Sequence, residues 1–234
     1  MKTVVVLVAL ERTDEMIEIE NTEVFGWEAA IRGMRNPMNS WDKSDSEFGH
    51  HQWELGYFNI GENDLKLMKS LSNAGDDHGK FLRMINVTCD ITAPLYWYKE
   101  FDTYKVGTVA NSCSTMHKIH AKEFDLDDFS CEHLFNEHNH SYFGLNMFCG
   151  LVCNLNIVRK LYLETKDKRY WWQMIQLLPS SYNQKRTVQL NYQVLKSMYH
   201  ARKNHKLDEW RDFCKWIESL PYSELITGKE NSND

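Results

Sequence analysis

At 234 residues, with 42% hydrophobic side chains, the chain has enough apolar material for one large globular domain, or for a subunit that completes its core against copies of itself. Its formal charge of -6 and pI near 5.9 exclude a broad basic surface for nucleic acid, but leave room for one local basic pocket that takes a small anion. Six cysteines (Cys89, Cys113, Cys131, Cys149, Cys153 and Cys214) include no C-x-x-C pair, so reduced, mostly buried thiols are expected rather than a zinc ribbon or a disulfide framework.

Residues 1–10 form a short apolar run followed at once by Glu11, Arg12, Asp14 and Glu15. The run is too short to cross a bilayer and no small-residue cleavage site follows it. It reads as an added strand, residues 1–15 as an N-terminal extension, and the compartment as the cytoplasm. Met16 is an alternative start before the strand-like residues 17–21. Residues 25–34 place apolar side chains at helical spacing, and Asn36-Pro37 stops the helix because the residue before a proline avoids helical backbone. Residues 39–52, rich in Ser, Asp and His without a period, read as a long exposed loop. Residues 62–71 and 78–84 read as helices, the alternating β-branched residues 85–91 as a strand, and a proline-started helix follows from Pro94. Further on, residues 143–163, 169–178, 188–202 and 208–220 read as helices, and residues 227–234 as a flexible polar tail. No linker or repeat divides residues 1–226, so the expected fold is a single α+β domain with a small, mainly antiparallel sheet and several long helices.

Side chains suited to phosphates and bases crowd into residues 91–117, ITAPLYWYKEFDTYKVGTVANSCSTMH, around a short loop between two apolar runs. Residues 104–117 resemble the signature of flavin-dependent thymidylate synthases (thymidylate synthase complementing proteins), R-H-R-x-x-S-x-N-E-x-S-x-R-Y. Laid on without gaps, the pattern pairs its Asn with Asn111, its second Ser with Ser114 and its final aromatic with His117. A second, separated region agrees in spacing and order. The family's C-terminal helix carries N-x-R-x-L and a further Arg, matched here by Asn191, Leu195 and Arg202, with Leu178-Pro179 and Thr187 before it and Glu209-Trp210-Arg211 after it. Glu100 stands where the family commonly has a His, and His78 stands near the His of its H-x-S motif.

The resemblance implies a homotetramer that binds FAD between subunits, reduces it with NADPH, and methylates dUMP with a carbon from methylenetetrahydrofolate. It places Lys105, Asn111, Ser112, Ser114, Thr115 and Arg202 at nucleotide-binding positions, and His78, Glu100, Tyr104, Asn191 and Gln193 at cofactor-binding positions. Arginine suits such a site because its planar donor fork matches anionic oxygens. Several of the family's arginines are replaced, however. R-H-R becomes Tyr104-Lys105-Val106, the Arg of S-x-R-Y becomes Met116, the Arg two residues after Asn191 becomes Gln193, and Ser112 replaces the Glu. Each lost charge-assisted hydrogen bond is worth about 1.5 to 3 kcal/mol, so ancestral ligands bind weakly unless other groups compensate. Lys80, Arg83, Lys99 and Lys118 are local candidates, as are Arg32 and Arg35 if the first helix turns a basic face to the pocket rather than to solvent.

Other constellations speak less. Cys131, Glu132, His133, Glu137, His138 and His140 include metal-ligand types, but no H-E-x-x-H or paired C-x-x-C spacing, and read with His50-His51 as exposed loop rather than a metal site. The trios Tyr96-Trp97-Tyr98 and Tyr170-Trp171-Trp172 offer stacking surfaces, with core or interface packing as the plainer use. Rossmann, phosphate-loop and hydrolase-elbow motifs are missing. Glu100 and Asp102 are the carboxylates beside the signature to examine for acid–base work. Two functions fit: a thymidylate synthase-like methyltransferase with a rebuilt pocket, or a binding module that captures a nucleotide without turning it over.

Overall fold

The computed structural model describes residues 16–49, 58–134 and 142–228. Expectations about residues 1–15, His50, His51, Glu137, His138, His140 and residues 229–234 lie outside the described residues. In chain order, β1 (Glu18–Phe25) leads into α1 (Trp27–Arg35); the short strands β2 (Glu47–Phe48) and β3 (Phe58–Asn59) precede α2 (Glu62–Asn73). β4 (Asn86–Pro94) runs straight into α3 (Leu95–Phe101), and β5 (Val109–Ser112) lies well before α4 (Phe143–Thr165) and α5 (Lys168–Leu177). β6 (Asn183–Asn191) then passes to α6 (Tyr192–Arg202), α7 (Asp208–Glu218) and α8 (Glu224–Thr227).

The fold is α+β, as its sequence pattern implies. β1, β4, β6 and β5 lie in that order in one antiparallel sheet, with β5 at an edge. Side chains alternate across a strand, and Val87, Cys89, Ile91 and Ala93 of β4 with Val188 and Leu190 of β6 are all buried. These residues share the main core with Trp97 and Phe101 of α3, Tyr192, Leu195 and Tyr199 of α6, and Trp210 and Phe213 of α7. The Trp97 ring lies 4.9 Å from Trp210 and 5.5 Å from Phe213, and such aromatic pairs add about 0.5 to 1.5 kcal/mol beyond the area they bury. A second, smaller core of Ile119, Phe124, Phe129, Val152, Leu155, Val158 and Met174 packs α4 and α5 against residues 119–129.

Several local expectations are corrected. Residues 188–191 are strand rather than the start of a helix. Val188 and Leu190 are buried while Gln189 is exposed, a two-residue period, and α6 begins only after Asn191 accepts a hydrogen bond from the Val194 N–H at 3.0 Å. Residues 39–49 are mostly exposed, as expected of a loop, but they are also pinned, because the buried Asp64 carboxylate on α2 accepts from Ser44 Oγ and Ser46 Oγ, each at 2.7 Å, and from Arg35 Nε at 2.6 Å. Residues 78–84 contract to a single 3-10 turn, Gly79–Arg83. The cysteines are less buried than expected: Cys89 and Cys214 are buried, Cys131 is intermediate, and Cys113, Cys149 and Cys153 are exposed. Burial, reinforced by Asp90, pushes the Cys89 thiol up to about 12; burial with Glu218 pushes Cys214 to about 11, so both stay protonated and unreactive. Thr227 is buried at the end of α8, which thus takes in the first residue of the segment read as tail.

Candidate functional site

The signature segment begins at Tyr104, just after α3, and turns at Gly107, whose φ of 81° lies in the left-handed region that favours glycine. A Cβ there would meet Asn191 Nδ2 at 2.6 Å and Val194 Cγ2 at 3.1 Å, so the glycine is also required by close approach to the start of α6. Beyond the turn the chain forms β5, with Asn111 opposite Thr187 and Ser112 opposite Arg186. The two regions of sequence resemblance are therefore neighbours in space, joined by a strand ladder and by the packing of Gly107 on Asn191.

Arg202 closes this arrangement at one end. Its Nε donates to the Tyr104 hydroxyl at 3.1 Å, and its guanidinium lies 5.0 Å from the Trp210 ring centroid. The same guanidinium lies 2.8 Å from Glu100 Oε2, which also accepts from Trp210 Nε1 at 3.0 Å and faces His205 Nε2 at 3.3 Å. Glu100 thus answers the charge of the best-matched arginine. Where the family commonly carries a histidine, this chain carries an anion that has been given its own cation.

The remaining signature residues lie along the edge strand and the turn after it. Lys105, Asn111, Ser112 and Ser114 are exposed and Thr115 is half-buried. Ser114 Oγ accepts from the N–H of His117 at 2.8 Å and of Met116 at 3.3 Å, which fixes the turn. Asn191 is 8% exposed and its side-chain Oδ1 caps α6, so its first role is to start that helix. Gln193 Nε2 donates to Asp76 Oδ1 at 2.9 Å. His78 is exposed with no side-chain capping bond, in place of the core or capping role that the sequence suggests.

The cations offered as compensation fare unequally. Arg35 is buried and held by Asp64, Ser40 and Lys43, so it serves neither a ligand nor a solvated helix face. Arg32 pairs with Glu28 at 3.0 Å on the solvent side. Lys80, Arg83, Lys99 and Lys118 are exposed. Asp102 is paired with Arg186 at 2.7 Å, so both carboxylates singled out beside the signature face arginines. Among the described residues no three His, Cys, Asp or Glu side chains gather as metal ligands. Of the aromatic trios, Trp97 and Tyr98 are core, while Trp171 is half-buried and Trp172 exposed.

Sequence reasoning missed Arg186. It stacks 3.7 Å above the Tyr98 ring and donates through Nε to Gln184 Oε1 at 2.9 Å, and Gln184 Nε2 in turn donates to the Cys113 carbonyl at 2.6 Å. This chain of contacts fixes the far end of β5. Burial pushes the Tyr98 phenol well above its ordinary range against the opposing pull of Arg186, so it stays neutral. Recognising the alternation of β6 would have found this arginine on the same face as Val188 and Leu190.

No family model matches the chain, and no curated protein matches it in sequence. Solved structures do match in fold. Thymidylate Synthase X (ThyX) from Helicobacter pylori, crystallised with FAD and dUMP, is similar over 90% of this chain and 96% of its own, with a TM-score of 0.65 and 15% identity. A second structure of that enzyme with FAD and dUMP gives 0.62 at 16% identity, covering 90% and 97% of the two chains. The UMP/dUMP methylase PolB from Streptomyces cacaoi, bound with 5-Br dUMP, gives 0.56 at 12% identity over 92% and 96%. The chain shares with these proteins the α+β fold of flavin-dependent thymidylate synthases.

Proposed function

We propose that the chain binds a pyrimidine nucleotide on the face built by residues 104–117 and α6, with dUMP the first ligand to try. The observation that carries this reading is the meeting of the two regions of resemblance, sealed by the bond from Arg202 Nε to the Tyr104 hydroxyl. The ligands held by proteins of the same fold, dUMP and 5-Br dUMP, support the same class. Beside Arg202, the half-buried ring of Tyr104, backed by the buried Trp210, offers an apolar face to a flat base, and the exposed Asn111, Ser112 and Ser114 offer hydrogen-bonding groups along β5 and the turn after it.

FAD is the cofactor that the shared fold suggests, and these residues suit its diphosphate poorly. Glu100 neutralises Arg202, Asp76 holds Gln193, and Val106 and Met116 carry no charge, which leaves Lys105. No redox step is assigned to them. Reductive methylation of the nucleotide is the second reading, favoured by fold similarity to thymidylate synthases over 90% of the chain. Assembly as a homotetramer belongs to both readings and is supported by Phe143, Met147 and Ile157, which are exposed on one side of α4. Light scattering on an eluting peak tests it.

Calorimetry with dUMP and deoxyuridine tests the binding reading. Both should bind, and Arg202→Gln should weaken both about tenfold, one charge-assisted contact's worth; Tyr104→Phe, which removes only a hydroxyl, should weaken them less. Absence of binding by either compound to the wild-type chain would refute it. The visible spectrum after loading with FAD and removing the excess decides between the readings. A colourless protein is expected; retained flavin that bleaches with NADPH would favour the methyltransferase and make methylenetetrahydrofolate the next substrate to add.

A further inference from the structure

At the opposite end of the signature segment from Arg202 lies a basin of about 370 Å³, lined by His117, Tyr162, Lys166, Lys168 and Trp171. The four residues of β5 alone separate the two ends by about 13 Å at ordinary strand rise. Three elements build the basin: the turn that Ser114 fixes, the end of α4, and the start of α5. Trp171 Nε1 donates to the Met116 carbonyl at 3.0 Å and so ties α5 to that turn. Lys166 is the C-cap of α4, with a left-handed φ of 57°, and Lys168 opens α5; their ammonium groups lie 5.7 Å from the Tyr162 ring centroid and 5.8 Å from that of Trp171.

The charge here runs against that of the whole chain. Among the described residues, no carboxylate lies within ion-pairing distance of His117, Lys118, Arg159, Lys166 or Lys168. Asp167, between the two lysines, is already committed: it caps α5 through the Arg169 N–H at 2.9 Å and pairs with the Arg169 side chain at 2.6 Å. Arg159 Nε is bonded to the His120 carbonyl at 2.9 Å, which brings a further cation to the same end of α4. His120, stacked edge-on against Tyr162 at 4.9 Å, has a buried Nδ1 without a hydrogen-bond partner. Burial holds its imidazole below the ordinary range, and Lys118, Lys166 and Arg159 push in the same direction, the mark of an accumulated and unanswered positive field.

We propose that this basin is a phosphate-binding site separate from the Arg202 cluster, taking the phosphoryl group of a small anion between Lys166, Lys168 and His117, with Tyr162 and Trp171 as its walls. Its volume suits a mononucleotide-sized molecule, and its lysines stand in a protein whose signature has lost the arginines of the resembling family. The phosphate could belong to the nucleotide of the proposed function or to another small phosphorylated compound. The two sources share one recognition chemistry and give different results below.

The test is titration of the full-length chain with inorganic pyrophosphate, dUMP and deoxyuridine at low and physiological ionic strength, read by calorimetry and tryptophan fluorescence. The variant is Lys166→Gly with Lys168→Ala; glycine suits the left-handed φ at 166, and an unchanged melting curve confirms folding. Pyrophosphate should bind wild type, and the double variant should weaken it about tenfold or more, as should the higher salt. Lys168→Glu alone, with an unchanged melting curve, should abolish it. If dUMP weakens in parallel and deoxyuridine does not, the basin holds the nucleotide's phosphate; if only pyrophosphate weakens, it serves another phosphorylated compound. If neither dUMP nor deoxyuridine binds wild type, the nucleotide reading falls while the pyrophosphate result still decides this one. Equal pyrophosphate binding by wild type and double variant, or none by wild type at low salt, would overturn the proposal.

Discussion

Gly107 and Gly75 carry similar backbone demands in different surroundings, and the difference can be measured. Both have positive φ, 81° and 105°, but a Cβ at Gly75 meets nothing within 4 Å, whereas at Gly107 it meets Asn191 and Val194. Gly75→Ala should therefore cost about 1 to 2 kcal/mol, the left-handed penalty alone, and Gly107→Ala should cost on the order of 1 to 3 kcal/mol more. Urea unfolding of the two variants gives the comparison, and equal losses would mean that the approach to Asn191 exerts no force. At this scale the sequence points to residues that the fold brings together, Tyr104 with Arg202 and Gly107 with Asn191. It was a poor guide to what they do there, because an arginine's charge is spent or free according to partners far away in sequence. Nothing local at Arg202 announces Glu100, and nothing at Arg35 announces Asp64.

Elements whose period is long and regular were legible, and those where the period changes were not. α4 and α7 stand close to where helical spacing places them, since a run of apolar residues at i, i+3 and i+4 has one good solution. The boundary at Asn191 was lost because four strand residues were absorbed into the helix they precede, and β5 was lost because all its residues are exposed and leave no pattern of burial. Asn191 marks that boundary and joins the candidate site to the sheet. Asn191→Ala should cost about 1 kcal/mol through the lost cap. It also removes the Nδ2 that obstructs a Cβ at position 107, so Gly107→Ala should be less damaging in the Asn191→Ala background, with a coupling of about 0.5 kcal/mol or more. Strict additivity in this double-mutant cycle would show that the strand–helix junction and the signature turn are independent.

Across the whole molecule, the acid response should hinge on the buried pair that joins α1 to α2. Burial alone would raise the Asp64 carboxyl, but hydrogen bonds from Ser46, Ser44 and Arg35, together with the Arg35 charge, bring it below its ordinary value of 3.8. A carboxyl depressed in the folded state binds fewer protons there than in the unfolded chain. Its stabilising contribution is complete above the ordinary value and disappears as pH falls through the folded value. The half-buried Asp90 and Asp167 are also held low, by Thr187 and Arg169 first among their partners, so wild type should lose stability in acid for more than one reason. Comparison with Asp64→Asn isolates the buried pair. That variant leaves Arg35 buried without its counter-ion and should lose about 3 to 5 kcal/mol at neutral pH, and its stability should fall less steeply than that of wild type below about pH 4. Thermal melting of both proteins from neutral pH downward reads the two slopes. Because Asp64 also accepts from Ser44 and Ser46, early loss of order in residues 39–49, followed by hydrogen exchange, should accompany the acid transition in wild type. Parallel slopes would mean that the pair joining the first two helices does not set the acid limit of the fold.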